Sequence, residues 1–180
     1  PLGPPATPQP VVGGTTTCVS ADRWGNLLAA TPSANVLKGA HEGGEAGVTF
    51  GNRLRSLNTT PGHPNCIAPG KRPRITLTPT LVPRDGKGIM AISVAGGDLQ
   101  DQVSLQMLLA SIDFAKSPAE AVQLPRYSTA HHIGSFSQPP PKLGSLTVTE
   151  EMGEPAIARL QQLGHEVTLA KPPIGHPCVL

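Results

Sequence analysis

Residues 13–31 read GGTTTCVSADRWGNLLAAT, and this stretch decides how the chain begins to fold. The β-branched and small residues at 15–21 predict a strand, because such side chains suit a pleated surface. Residues 22–26 predict a turn, in which Gly25 supplies the positive φ that a tight reversal needs. Residues 27–31 return as the partner strand. The stretch therefore predicts a β-hairpin that starts directly after two glycines.

Downstream of this hairpin, the sequence predicts more strands and then a group of helices. Strands are expected over residues 48–50, 75–82, 89–94 and 166–170, with a hairpin turn at 84–87. Helical spacing and start and stop signals predict helices over 101–115, from Ser117 to before Pro125, and over 155–163. Strands in hairpins with helices grouped after them predict an α+β fold with an antiparallel sheet.

Composition excludes several classes of protein. The chain has 180 residues, a net charge of +2 and 3% aromatic residues, so it offers neither a basic stripe nor stacking platforms for nucleic acid. No apolar run approaches the ~18 residues that a membrane span needs. Three cysteines without a CxxC pair and six histidines without an HExxH motif favour no metal site. We therefore expect no nucleic-acid partner, no membrane span and no metal.

The first candidate for chemistry is the hydroxyl cluster that begins at Thr15. A threonine hydroxyl becomes a nucleophile when a base is adjacent, and its own α-amine is one such base. That amine exists only once the bond between Gly14 and Thr15 is cut, and two preceding glycines give a backbone that can bend for self-cleavage. The alternative interpretation is a threonine-rich edge strand after a flexible loop.

The second candidate is the sequence VAGGD at residues 94–98, where a strand end leads into a helix. Two glycines there allow consecutive N–H groups to point outward, and the helix N-terminus adds positive partial charge. This is the geometry of an oxyanion hole, which stabilises the charge formed when an acyl carbonyl is attacked. The alternative is an ordinary β-to-α turn that needs positive φ.

These motifs together resemble the small subunit of γ-glutamyltranspeptidases, which are N-terminal-nucleophile hydrolases. The resemblance extends from about residue 13 to residue 167, and its details are closest to the γ-glutamyltransferase-like branch that includes amide hydrolases and acylases. The segments that carry it are 15–17, 22–26, 68–73, 78–80, 96–98, 113–114 and 121–126. It implies an αββα sandwich and a precursor that cuts itself before a threonine into a large and a small subunit.

The resemblance also implies roles for individual residues. The nucleophile falls on Thr15, which would form an acyl-enzyme, and the hydroxyl that hydrogen-bonds it falls on Ser33. A nearby asparagine of the family falls on Asn35, and the oxyanion-hole glycines fall on Gly96 and Gly97. Such enzymes use no metal and no organic cofactor, so none is expected here.

The residues expected at the substrate depart from the family pattern. Arg53 and Ser56 replace the Gln or Glu and the Asp that hold the α-amino group of a γ-glutamyl substrate. Ile75 and Thr76 replace the two serines at its α-carboxylate, and Thr17 stands where the family usually has histidine. A cation at position 53 repels an ammonium group, whereas its bidentate donors suit an acid or oxo group. The alternative for Arg53 is a solvated loop charge.

The resemblance predicts that the chain has two parts. Residues 1–14 form a proline-rich linker before the cleavage site, and residues 15–180 form a small-subunit catalytic domain that is incomplete at its C-terminus. The expected partners are the large subunit of the same precursor, as a heterodimer or a dimer of heterodimers, and a small-molecule amide or γ-glutamyl substrate. The rival function is a catalytically silent, uncleaved structural or binding subunit. The bacterial cytoplasm and periplasm both remain open as compartments.

Overall fold

The computed structural model describes residues 14–33, 45, 53–136, 138–171 and 173–180. Residues 1–13 of the linker expected at 1–14 and the strand expected at 48–50 lie outside the described residues. The strands are β1 Cys18–Ala21, β2 Leu27–Ala30, β3 Thr80–Arg84, β4 Lys87–Ala95, β5 Tyr127–Ala130, β6 Lys142–Thr149, β7 Glu166–Ala170 and β8 His176–Val179. The helices are α1 Gln100–Ile112, α2 Pro118–Ala121 and α3 Glu154–Gln162. The α+β class is thereby confirmed.

The first hairpin, β1–β2, forms as predicted and is held by Asp22. The Asp22 carboxylate accepts hydrogen bonds from the backbone N–H groups of Trp24 and Asn26, each at 2.9 Å, and from Asn26 Nδ2 at 2.7 Å. The bond from the Asn26 side chain is the main cause that lowers the pKa of Asp22. Gly25 has φ +87°, so the turn needs the one residue that adopts this angle without strain.

The second hairpin, β3–β4, turns at Asp85 and Gly86, whose φ angles are 51° and 76°. Two positive φ values are typical of a type I′ turn, which matches the twist of the flanking strands. The strand predicted over 75–82 begins only at Thr80, so its start was wrong. The carbonyl of Thr76 binds the side chain of Gln100 instead of a strand, and Pro79 has no N–H to donate.

The core lies between α1 and one face of the β3–β4–β8 sheet. Alternate residues of β4 point to opposite faces, so Ile92 and Val94 pack with Val103 and Met107 of α1. The other face of β4 carries Ser93, whose hydroxyl lies 2.8 Å from Thr31 Oγ1 and donates to Ala30 O. The β1–β2 hairpin therefore covers the sheet on the side opposite α1, and layers of hairpin, sheet and helix result.

The three predicted helices are confirmed, but two of them end earlier than predicted. α1 ends at Ile112 rather than at 115, and α2 ends at Ala121, four residues before Pro125. At α2, Ser117 N donates to Glu120 Oε2 at 2.9 Å and Glu120 N donates to Ser117 Oγ at 3.3 Å. This reciprocal capping box satisfies two N–H groups that a helix start leaves free. α3 spans the residues just before Gly164, as its start and stop signals indicate.

Three of the observed strands were not predicted from the sequence, and one strand pairing is parallel where an antiparallel pairing was predicted. β5, β6 and β8 were not predicted, and β6 pairs with β7 in parallel because α3 carries the chain back between them. The expectation of an antiparallel sheet therefore fails for this pair and holds for the other pairings described. Gln102 and Gln106 of α1 bind the backbone of β5 with their amides, which fastens the β5–β6–β7 sheet to α1.

Within the described ranges, none of the helices is both long and apolar enough to cross a bilayer. The histidine, cysteine, aspartate and glutamate side chains of the same ranges form no group of three that could hold a metal ion.

Candidate active site

Thr15 lies just before β1 and is fixed by Ser33, which follows β2. Their hydroxyl oxygens are 2.7 Å apart, and the two residues form an isolated antiparallel bridge. Thr16 N also donates to Pro32 O at 2.9 Å. The hairpin thus extends beyond its two strands and places the Thr15 hydroxyl in direct contact with a second hydroxyl, whereas Asn35 lies outside the described residues.

The Gly96–Gly97 turn joins β4 to α1. Gly96 has φ 153° and Gly97 has φ 59°, which L side chains rarely adopt. A Cβ at Gly96 would lie 3.4 Å from Gly175 Cα and 3.4 Å from Leu99 Cβ. The backbone conformation therefore favours glycine at position 96, where a Cβ would make ordinary van der Waals contacts, while Gly97 has open space around it.

One cavity brings the two candidates together. It has a volume of about 550 Å³ and is lined by Thr15, Thr16, Thr17, Ala95, Gly96, Gly97 and His176. Thr15 comes from the hairpin, the glycines come from the end of β4, and His176 comes from β8. No local sequence pattern pointed to His176, because its place here depends on the pairing of β8 with β4, in which His176 lies opposite Ala95.

Arg53 lies outside the residues that line this cavity, on the short 3-10 helix Arg53–Ser56. Its Nη1 donates to Thr76 Oγ1 at 3.3 Å, and its guanidinium lies 5.4 Å from the centre of the Phe136 ring. Arg55 lies over the same ring at 4.6 Å. Burial first, and the charge of Arg55 second, lower the pKa of Arg53. Among the described residues, Arg53 Nε has no hydrogen-bond partner.

Ser56 is buried, and its hydroxyl is engaged by the chain itself. Ser56 Oγ lies 2.8 Å from the carbonyl oxygens of both Arg53 and Arg74, so its single proton can be donated to either. These bonds tie the 3-10 helix that carries Arg53 to the segment before Thr76. The pair Arg53–Thr76 is therefore held as a unit.

Two links connect this Arg53–Thr76 pair to the glycine turn. With its amide nitrogen facing two carbonyls, Gln100 donates to Thr76 O at 3.1 Å and to Val94 O at 2.9 Å. On the other side of the turn, the Asp98 carboxylate accepts hydrogen bonds from Ser135 N and Ser135 Oγ. Ser135 precedes Phe136, on which Arg53 lies. Asp98 directly follows Gly97, and Gln100 lies three residues after it.

Comparison with known proteins identifies relatives of the whole chain. The model of the family described as gamma-glutamyltranspeptidase matches residues 4–179. The glutathione hydrolase proenzyme of Bacillus subtilis subsp. natto is 28% identical over 167 residues, which cover 92% of this chain and 27% of that protein. The acylase ACY 1 proenzyme of Pseudomonas sp. (strain V22) is 29% identical over 154 residues, which cover 85% of this chain and 25% of that protein.

Solved structures with a similar fold support the same family relationship. LmbA2991HD is 37% identical in sequence and superposes with a TM-score of 0.80, over 99% of this chain and 32% of that chain. Gamma-glutamyltranspeptidases of known structure share the fold, that of the N-terminal-nucleophile hydrolases. The chain spans about a quarter of the length of the two curated relatives and about a third of LmbA2991HD.

Proposed function

The chain belongs to the gamma-glutamyltranspeptidase family, and from this membership we propose that it is the small-subunit part of an amidohydrolase or acyltransferase whose nucleophile is Thr15. The observation that carries the proposal is the cavity that Thr15 shares with Gly96 and Gly97. Contact between the hydroxyls of Thr15 and Ser33 supports it further, because a structural strand end has no need of that pair beside a strained glycine turn.

The proposed reaction begins with maturation of the precursor. Cleavage of the bond between Gly14 and Thr15 frees the α-amine of Thr15, which takes the proton from the Thr15 hydroxyl. Thr15 Oγ1 then attacks the substrate carbonyl, and the backbone N–H groups of Gly96 and Gly97 stabilise the resulting oxyanion. Ser33 orients the attacking oxygen. Departure of the amine leaves an acyl-enzyme, which passes its acyl group to water or to a second amine.

The domain division carries over to this proposal. Residues 1–14 are the linker that ends at the cleavage site, and residues 15–180 form the catalytic part of the small subunit. The large subunit of the same precursor is the proposed partner. Large apolar side chains remain exposed on and just after α1, as a partner layer requires: Leu105, Leu109, Ile112 and Phe114.

Arg53 directs the proposed substrate class toward acyl groups that carry a carboxylate and lack an ammonium group. Arg53 and Thr76 form a polar pair next to the elements that support the glycine turn. Among the described residues, neither Arg53 nor Arg55 makes a salt bridge, so their positive charge stays available to an anion. Ser56 holds the helix that carries Arg53 and, on this proposal, acts on the substrate through Arg53.

A matched pair of substrates tests the role of Arg53. Glutaryl-p-nitroanilide and γ-glutamyl-p-nitroanilide differ only in the ammonium group of the latter. We expect the mature full-length protein to prefer the glutaryl compound in kcat/KM by about tenfold or more, since repulsion at ~4 Å is worth roughly 1 to 4 kcal/mol near a protein surface. In R53Q, this preference shrinks severalfold. Release of p-nitroaniline measures both rates.

The control for this test is R84Q, which removes an exposed positive charge from the β3–β4 hairpin. It is expected to leave the ratio of the two substrates unchanged. A wild-type protein that prefers the γ-glutamyl compound, or an R53Q variant with an unaltered ratio, contradicts the assignment.

The acyl-enzyme itself is the test of the proposed reaction. After brief incubation with glutaryl-p-nitroanilide and quenching in acid, the mature protein is expected to gain the mass of one glutaryl group on the peptide that starts at Thr15. Peptide mapping by mass spectrometry locates it. Turnover with the acyl group on another residue overturns Thr15 as nucleophile, and a precursor that stays uncut and takes up no acyl group favours the silent subunit.

A further inference from the structure

The cavity at Thr15 contains one titratable side chain among the described residues that line it, the imidazole of His176. The remaining lining consists of three threonines, one alanine and two glycines. Threonine hydroxyls can relay a proton but do not gain or lose one near neutral pH, whereas histidine serves as both general acid and general base. His176 is therefore placed where chemistry on an amide needs a proton carrier.

Three independent contacts fix the backbone at His176. β8 pairs with β4 so that His176 lies opposite Ala95, directly before the glycine turn. Arg126 Nε donates to Ile174 O at 2.8 Å while its Nη1 donates to Val122 O at 2.7 Å. These bonds anchor the entry to β8 against the end of α2.

Gly175 supplies the third contact. It has φ 66°, and a Cβ there would lie 3.0 Å from Val103 Cγ2 and 3.7 Å from Ala95 O. The residue before His176 is thus packed against β4 and α1, and its Cα lies 3.4 Å from the position that a Cβ on Gly96 would take. The imidazole consequently projects from a rigid strand beside the turn that is proposed to hold the oxyanion.

We propose that His176 is a catalytic residue that donates a proton to the leaving amine when the acyl-enzyme on Thr15 forms. This inference rests on the proposed function. The proton of the Thr15 hydroxyl goes to the α-amine, the carbon–nitrogen bond breaks, and the departing nitrogen takes a proton from protonated His176. His176 regains a proton from the water that hydrolyses the acyl-enzyme, while the α-ammonium returns its proton to Thr15 Oγ1, so protons balance over one turnover.

The leaving group gives this proposal a specific readout. An alkylamine is a strong base that must be protonated in order to leave, whereas p-nitroaniline is a far weaker base and depends less on an acid. kcat/KM covers the reaction up to departure of the amine, so it isolates the step at issue. We compare glutaryl butylamide with glutaryl-p-nitroanilide in the wild-type full-length protein and in H176N.

For H176N, we expect kcat/KM to fall by about 100-fold or more on the butylamide and by less than about tenfold on the p-nitroanilide. H131N, which alters an exposed loop histidine outside the cavity, is the control and is expected to match the wild type on both. Equal losses of H176N on the two substrates, or no loss on either, overturn the proposal.

Two further readouts separate the modes of failure. N-terminal sequencing shows whether the small subunit of each variant still begins at Thr15. The melting temperature shows whether each variant is folded. If H176N melts at a lower temperature than the wild type, H176Q replaces it. Folded variants that stay uncut place His176 in maturation and contradict its role at the leaving amine. Absence of turnover in a matured wild-type protein overturns the proposed function itself, and this inference with it.

Discussion

Replacing Thr15 by alanine in the full-length precursor is expected to leave the chain uncut and to abolish amide turnover. Alanine removes the hydroxyl that is proposed to attack the preceding carbonyl during maturation and the substrate carbonyl during catalysis. Without cleavage, the α-amine stays in a peptide bond and no base forms. Both losses are expected to be complete within detection, because one atom performs both attacks. Intact mass and p-nitroaniline release measure them.

Two further variants serve as controls for this prediction. T15S keeps a hydroxyl and, after cleavage, an α-amine, so it is expected to mature and to retain activity at a reduced rate. T59A removes a threonine from an exposed loop and is expected to behave as wild type. A T15A protein that is still cut after Gly14, or that still turns over substrate, shows that the nucleophile lies elsewhere.

Gly96→Ala is the second substitution with a large expected effect. Alanine rarely adopts the φ of 153° found at Gly96, so the backbone of the turn is expected to change shape. Loss of one well-placed oxyanion donor typically lowers kcat by about 10² to 10³-fold. We expect kcat in the mature full-length protein to fall by about that factor, as release of p-nitroaniline measures.

The matched control is Gly25→Ala, another glycine with positive φ. Gly25 has φ +87° and no atom within 4 Å of a Cβ, so the variant suffers backbone strain of roughly 1 kcal/mol without a clash. It is expected to melt lower and to keep its kcat. If G96A keeps wild-type kcat, or if G25A loses as much kcat as G96A, the glycine turn is not the oxyanion site.

Local sequence signals predicted what depends on near neighbours. The turn at Asp22, the capping box at Ser117 and the β3–β4 turn each arise from side chains and φ preferences within about five residues, and all three are present. The motifs around Thr15 and Gly96 could be recognised from the sequence for the same reason, since each consists of neighbouring residues. That the two lie in one cavity follows from the packing of the first hairpin over β4, which no local pattern encodes.

The missed elements depend on distant contacts. β8 is four residues long and contains Pro177, so it does not have the pattern of a strand, and it forms because β4 offers an edge. His176 could be found only once that pairing was known. The strand β3 was predicted to begin too early, because the Thr76 carbonyl accepts a hydrogen bond from the buried Gln100 amide and not from a neighbouring strand. The parallel β6–β7 pair likewise requires the path of the chain through α3.

The most direct test of this account is the intact mass of the purified full-length protein, with N-terminal sequencing of every piece. If Thr15 is the nucleophile, two polypeptides are expected, the smaller of which begins at Thr15 with a free α-amine. A single chain that stays uncut for days contradicts it, because the base and the nucleophile then never form. The same uncut result supports the alternative that this member of the family is a structural or binding subunit.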